Sequence, residues 1–446
     1  MPLGYGSRAR IHWLKAGRVL TLAQGQDGNK RMKQLVVVGG GVVGLTTAWF
    51  LAQAGHQVSL VERAAELAGG ASRANGGQLS YRYVSPLADT GVPLKALRWL
   101  LDPDGPLRFK PEAHWAQWSW MASFLSKCRG PVNRRTTEQL LRLGAFSQAS
   151  FAQLQRSAQL EEIALRAPGK LIIYRKVAEF ERIAARLRAA PAGLERALDA
   201  DACLALEPAL AHSDERLAGG IFTEGEAVAD CHRLSLQLGE RLRGHPNFKG
   251  FVQAEVRGFR RDDQGAARAL LTSQGEIGGD GFIIAAGLHS RALAAPLGIA
   301  LPLYPLKGYS LTAPIGSSHL PPVVSVTDFE KKILYARIGE QLRVAAMVDL
   351  VGDDLTLDPG RIASLQRSVR ALFPQAADYD RAVPWAGLRP ATPSGAPIIG
   401  ESGVKNLWLN VGHGALGFTF SFGTANILAE LVSGRASPVA LDGLTL

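Results

Sequence analysis

Residues 35 to 62 read Leu35-Val-Val-Val-Gly-Gly-Gly-Val-Val-Gly-Leu-Thr-Thr-Ala-Trp-Phe-Leu-Ala-Gln-Ala-Gly-His-Gln-Val-Ser-Leu-Val-Glu62. The aliphatic run has the character of a buried strand, and the segment beyond Gly44 is helical and stops at Gly55. A second strand ends on Glu62. Between strand and helix, Gly39, Gly41 and Gly44 give the G-x-G-x-x-G spacing of a dinucleotide-binding turn. Gly39 permits the tight turn, Gly41 lets backbone amides approach a pyrophosphate, and Gly44 allows close packing of helix on sheet. Val42 and Val43 open the helix, whose N-terminus receives the negative charge. Glu62 is placed to accept hydrogen bonds from an adenosine ribose with a free 2′-hydroxyl, and Arg63 follows it. NADP is therefore disfavoured, and FAD or NAD remains.

The chain has 446 residues, 47% hydrophobic and 20% charged, which allows two globular domains of ordinary soluble composition. Cys128, Cys203 and Cys231 are odd in number and widely spaced, fitting neither a disulfide framework nor a zinc site and suiting a reducing cytoplasm; no metal is expected. No uninterrupted apolar run approaches the roughly 18 residues that cross a bilayer. Of the net charge of +11, a surplus of five sits in residues 1–31. The remainder is spread out with no accompanying motif, so nucleic acid is not an expected partner. Residues 1–31 read as a disordered extension rather than a targeting peptide, because Lys15 and Arg18 interrupt the apolar stretch. Met32 stands directly before the first strand as a candidate natural start.

After Glu62 comes a glycine- and polar-rich loop too long for a simple turn, in which Ser72, Asn75, Gly76, Gly77 and Gln78 are expected to lie along the cofactor. Residues 91–215 become helical and rich in Trp, Leu and Arg, as an inserted second domain would. Strand and helix alternation returns near Val256, and Gly281-Phe-Ile-Ile-Ala-Ala-Gly287 reads as a buried parallel strand whose Ala286 and Gly287 approach the cofactor. Residues 303–348 predict an antiparallel sheet, and a helix follows over 358–373. At the tail, Asn406–Val411 is a strand and residues 419–432 a helix ended by Gly434.

Between them lies a second glycine turn, Gly412-His-Gly-Ala-Leu-Gly417. A nicotinamide cofactor has no evident need of it. A flavin has, because reduction leaves charge at the N1 and C2 carbonyl locus, where helix-end amides lower its energy. Gly412, His413, Gly414, Leu416, Gly417 and Thr419 are assigned to that role; a plain tight turn is the simpler reading. The predicted fold class is thus α/β: a Rossmann-like FAD-binding domain from residues 32–90, 216–297 and 386–436. Into it is inserted an α+β substrate domain, residues 91–215 and 298–385, on an antiparallel sheet.

Taken together, the Gly39–Gly44 turn, Asn75-Gly-Gly-Gln-Leu, Pro305-Leu-Lys-Gly-Tyr-Ser-Leu-Thr312, Trp385-Ala-Gly-Leu-Arg-Pro-Ala-Thr-Pro-Ser-Gly395 and the Gly412–Gly417 turn resemble the D-amino acid oxidase superfamily of FAD-dependent oxidoreductases. Within it they are most similar to the bacterial D-amino acid dehydrogenases. The resemblance implies oxidation of D-amino acids to imino acids, which water converts to 2-oxo acids and ammonia. It also implies electron delivery to respiratory quinone at the inner membrane face. Two departures stand out: Ser394 replaces the family's usual Asp, another good turn residue, and Ser80-Tyr81-Arg82-Tyr83 replaces a Ser-Pro-Gly-Tyr loop.

The resemblance makes Arg389 the carboxylate-binding residue, a role that suits the planar, two-pronged guanidinium. It also places the strand bearing Tyr335 and Arg337 beside the substrate cavity; the two lie two apart and so share a face. Tyr309 is equally readable as core, and Lys307 as a solvated strand-end lysine. His413 is the most tempting general base, although hydride transfer requires none and a backbone role at the flavin edge fits its glycine neighbours. Trp115, Trp118, Trp120, Met121 and Phe124, followed by Lys127, Arg129, Arg134 and Arg135, suit either a bilayer interface or a buried helix with a polar end. Alternative activities are a related glycine, sarcosine or D-hydroxyproline flavoenzyme, or a flavin-binding subunit without chemistry of its own.

Overall fold

The structure, a computed structural model, describes residues 32–100, 102, 104–189 and 193–446. The expected extension over residues 1–31 lies outside the described residues. Strand Gln34–Val38 runs through the middle of a six-stranded sheet ordered 398–401, 407–411, 281–284, 34–38, 57–62, 248–253. Its pairings are parallel except the outermost, Ile398–Glu401 with Leu407–Val411. Parallel strands are covered on both faces, which is why Leu35–Val38 and Phe282–Ile284 are continuous apolar runs, all buried.

The leading helix, Val42–Gln53, is buried at ten positions and is not amphipathic. The reason is that it is covered from two sides: the closing helix, Gly417–Val432, packs against it with Thr46 Oγ1 donating to Ser421 O at 3.1 Å, and on the sheet side Asn410 Nδ2 of strand Leu407–Val411 donates to Thr47 Oγ1 at 2.9 Å. Residues 414–432 are long and apolar enough to span a membrane, but 67% of that window is buried within the fold. Helix Gly130–Ala158 crosses the closing helix at Gly423, where a Cβ would lie 2.9 Å from Ser147, and Ser147 Oγ accepts the Gly423 amide at 2.9 Å.

The second, nine-stranded sheet runs 383–391, 304–314, 341–350, 333–338, 325–328, 170–174, 219–223, 195–198, with Leu107–Phe109 beside the third. Its first four strands are antiparallel, as the alternation predicts. Two parallel pairings, Ser325–Asp328 with Lys170–Tyr174 and Val348–Leu350 with Leu107–Phe109, make it mixed. The expected boundaries also shift. Gly219–Thr223, every residue buried, belongs to this sheet rather than the dinucleotide sheet, and Val383–Ala391 crosses the boundary drawn at 386. Val256 opens a separate three-stranded antiparallel sheet instead of a returning βα unit. Helix Pro359–Leu372 is capped by Asp358, whose Oδ1 accepts the Arg361 amide at 3.0 Å, and its Leu365, Val369 and Leu372 pack in one core with Tyr309, Tyr335 and Val344.

The glycine turn explains why leading helix and sheet meet as they do. Gly39 has φ +115°, its amide donates to Val61 O at 2.8 Å, and a Cβ there would lie 2.5 Å from Ala285 O. A Cβ at Gly44 would overlap the Gly39 carbonyl. Gly44→Ala therefore has to push the helix off the sheet; a loss of about 2 kcal/mol or more in urea-unfolding stability is expected, together with loss of flavin retention on gel filtration.

Candidate flavin and substrate site

A cavity of about 1010 Å³ runs from the Gly39–Gly41 turn to the face of the second sheet. The long loop after Glu62 forms one wall. Side chains of the second sheet staple it down: Ser310 Oγ donates to Ala74 O at 2.8 Å and Arg343 Nη1 to Asn75 O at 2.7 Å. Asn75 Oδ1 accepts the Gly77 amide at 2.9 Å, an Asx turn that carries the chain through Gly77 at φ +64°.

At the nucleotide end, Gly41 starts the leading helix with no side-chain cap of its own; Ser72 Oγ, from the loop, accepts the Val42 amide at 3.1 Å. Glu62 is held by the amides of Gly40 at 2.6 Å and Ala64 at 2.9 Å, one to each oxygen. Each carboxylate oxygen keeps a second lone pair for a hydroxyl. Two strands away at the same sheet edge, Gly412 has φ +81°, and a Cβ there would meet Thr392 Cγ2 at 2.7 Å. The closing helix begins immediately beyond, again without a side-chain cap. Two helix N-termini, a fixed acid and backbone free of side chains suit a dinucleotide with an electron-accepting ring.

Arg389 faces the cavity from strand Val383–Ala391. Its partner strand Tyr304–Pro314 sets Gly308 opposite Gly387. A Cβ at Gly308 would collide with the Arg389 guanidinium, and one at Gly387 with the Trp385 indole. The paired glycines thus let both side chains lie flat on the sheet. Strand Gln341–Leu350 bulges here: Lys307 faces Asp349 but Tyr309 faces Ala346, and Met347 takes a left-handed φ of +69°. The bulge aims the Met347 carbonyl at Arg389, whose Nη1 donates to it at 2.9 Å. Among the described residues, Arg389 forms no ion pair. Burial lowers its pKa to about 10, with Asp349 acting against that shift. Asp349 itself is occupied by Arg361, in an ion pair of two almost fully buried side chains, and by Tyr309 Oη at 3.2 Å.

Residues 34–431 match the family described as FAD dependent oxidoreductase, DAO. The chain belongs to this family. It is 48% identical over 416 residues to D-amino acid dehydrogenase 2 of Pseudomonas aeruginosa, covering 92% of this chain and 98% of that one. It is 46% identical to D-amino acid dehydrogenase 2 of Ralstonia nicotianae, covering 91% and 98%. The glycine oxidase structure from Geobacillus kaustophilus shares the fold, with a TM-score of 0.71 at 21% identity over 93% of this chain and 98% of that one. L-proline dehydrogenase from P. horikoshii does so with a TM-score of 0.70 at 15% identity, over 94% and 97%.

Of the residues expected in this FAD oxidoreductase to touch cofactor or substrate, three do not border the cavity: Gly44, Tyr335 and Arg337. Gly44 packs behind the turn. Leu334 faces the cavity, 3.0 Å from where a Cβ of Gly76 would sit, so its neighbours point through the other side of the sheet. Tyr335 is fully buried there, its ring edge-on to Phe373 with centroids 5.1 Å apart. Arg337 donates to Gly339 O and lies 3.7 Å from Glu340. Lys307 is buried, its ammonium donating to Thr356 O. Trp120 is buried and donates to Ala391 O at 2.9 Å, while Trp115 is 81% exposed, so one helix serves both core and surface. Lys170 and Met347 also border the cavity and lie outside every motif quoted above, while Trp385, which opens the motif bearing Arg389, borders it without having been assigned a role.

His413 lies in the wall, but its Nε2 is 3.0 Å from Thr424 Oγ1, and burial presses its pKa down to about 3. The imidazole is neutral at physiological pH and its ring nitrogen is engaged within the closing helix, which leaves the backbone as its contribution to the site. The unfolded chain takes up this proton below pH 6.5 while the folded one does not. The stability due to His413 is therefore complete above 6.5 and lost as pH falls toward 3, by up to about 1.4 kcal/mol per unit. His56, depressed to about 4, adds to the same loss. Urea midpoints at pH 7 and pH 5 should differ less in His413→Gln than in the unsubstituted protein.

Proposed function

We propose that the protein oxidises D-amino acids to imino acids and passes the electrons to a membrane quinone. The observation that carries this reading is Arg389, a guanidinium that has no acidic partner among the described residues and faces the cavity shared with the dinucleotide turn. A substrate carboxylate supplies the missing charge, and the planar fork makes two parallel hydrogen bonds to it. FAD, held by the Gly39–Gly44 turn, Glu62 and the Gly412–Thr419 segment, supplies when bound the acceptor for the hydride that leaves Cα. Arg389 fixes the substrate's orientation, and Trp385 with Met347 walls the space beside it and excludes water. The substrate gives up its Cα hydrogen with two electrons and one proton from nitrogen. Water then adds to the imino acid, ammonia leaves, and a 2-oxo acid remains.

The D configuration is taken from the relatives, which are named for it. In this reading the nine-stranded sheet and its helices act as the substrate domain. The quinone is favoured by the rim. Helices Val92–Leu100 and Trp115–Lys127 both border the cavity through Ala96, Leu100, Met121 and Phe124, and both carry outward apolar groups, Leu94 at 78% and Trp115 at 81% exposure. Such a rim suits an amphiphilic acceptor at the inner membrane face, where two electrons and two protons convert quinone to quinol.

Anaerobic bleaching of the bound flavin tests the reading. D-amino acids with neutral side chains should bleach it, and a short-chain quinone analogue should restore the colour faster than air. Bleaching by glycine and sarcosine alone would replace the substrate class, and bleaching by none would leave a flavin carrier. Arg389→Lys should keep its flavin and lose about a hundredfold or more in kcat/KM for D-amino acids; unchanged steady-state kinetics would remove Arg389 from the site.

A further inference from the structure

Lys170 has no task in the chemistry above, yet it opens strand Lys170–Tyr174 at 2% exposure and borders the cavity. Its Nζ donates to Gln78 Oε1 at 2.8 Å and to Ser80 Oγ at 3.0 Å, and lies 4.2 Å from the centroid of the Tyr83 ring. Gln78 is oriented for this by Ser325, whose Oγ accepts from Nε2 and leaves Oε1 facing the ammonium. Among the described residues no acid pairs with it. Glu226 acts on it only from beyond ion-pair distance, and its Oε1 accepts the amides of Tyr81 and Arg82. A buried ammonium with neutral acceptors and no counter-ion is costly, and burial lowers its pKa to about 8.

Two hydrogen bonds join this cluster to the closing helix. The Ser80 amide donates to Thr419 Oγ1 at 3.1 Å, and Thr419 Oγ1 donates to Gln78 O at 3.4 Å. Thr419 stands in the first turn of the closing helix, so the ammonium and the positive end of the helix dipole converge on one corner of the cavity.

We propose that Lys170 is a charge-positioning residue for the bound flavin: with the N-terminus of the closing helix it stabilises the negative charge the ring carries after accepting a hydride, and so makes the flavin easier to reduce. This rests on the FAD reading above. A unit charge within about 10 Å of the ring in a partly buried site shifts such an equilibrium by about tenfold or more.

The test uses the flavin-loaded full chain. Sulfite, which adds to oxidised flavin and leaves a negative charge on it, serves as probe alongside the midpoint potential. Lys170→Met and Lys170→Gln should bind sulfite at least about tenfold more weakly, and the same factor in the two-electron equilibrium lowers the potential by about 30 mV. Lys170→Arg should restore both. Unchanged sulfite affinity and potential in the uncharged variants would overturn the proposal, and so would loss of FAD from both, which would make Lys170 a structural residue. An unsubstituted protein that takes up no FAD would instead sink the reading on which the proposal rests.

Discussion

The Cα of Gly44 lies so near the Gly39 carbonyl that no side chain fits between them, and this backbone contact decides how the leading helix leaves the sheet. With the helix held there, its uncapped N-terminus and Glu62 meet at one end of the cavity. The closing helix then lies along the leading helix, joined to it where Thr46 donates to the Ser421 carbonyl, while Thr47 ties the same helix to the sheet through Asn410. The tail of the chain is thereby brought to the same cavity as the leading strand, and the second glycine turn stands two strands from the first at the same edge of the sheet.

The second sheet reaches the cavity by a different device. It makes room for the Arg389 and Trp385 side chains at Gly308 and Gly387, and the loop after Glu62 is bonded to it by Ser310 and Arg343 through main-chain carbonyls. The bulge at Met347 holds a non-glycine residue in the left-handed region, a conformation that costs on the order of 1–3 kcal/mol. That cost is local to the carbonyl that positions Arg389. Behind the sheet, Arg361 neutralises Asp349, so the acid that would compete for Arg389 is already satisfied.

What could be read from the amino-acid sequence follows from how local each signal is. The two glycine turns, the acid at the strand end and the arginine before Pro390 are encoded in short stretches, and each borders the cavity. The facing of strand Ile333–Ile338 is not local. Leu334 and Tyr335 are both apolar enough for a core, and only the sheet's neighbours decide which side the cavity occupies. Lys170 is hidden for the same reason: Lys170–Tyr174 lies in the span read as helical but forms a strand, and the burial of its lysine arises from Gln78, Ser80 and Tyr83, about ninety residues earlier in the chain. Gly219–Thr223 falls inside the span 216–297 expected for the FAD-binding domain yet pairs in the nine-stranded sheet, because a short buried strand fits either.

Arg389 and Trp385 stand four residues apart on one strand, folded toward each other over the glycine pair between them. On the proposed reading, the anchor for the substrate carboxylate and the wall beside it are therefore spaced by main chain, not by loops. Remodelling the indole would retune which side chains are admitted while the anchor stayed in register. The taste of the enzyme can drift through a single position without its grip being relearned.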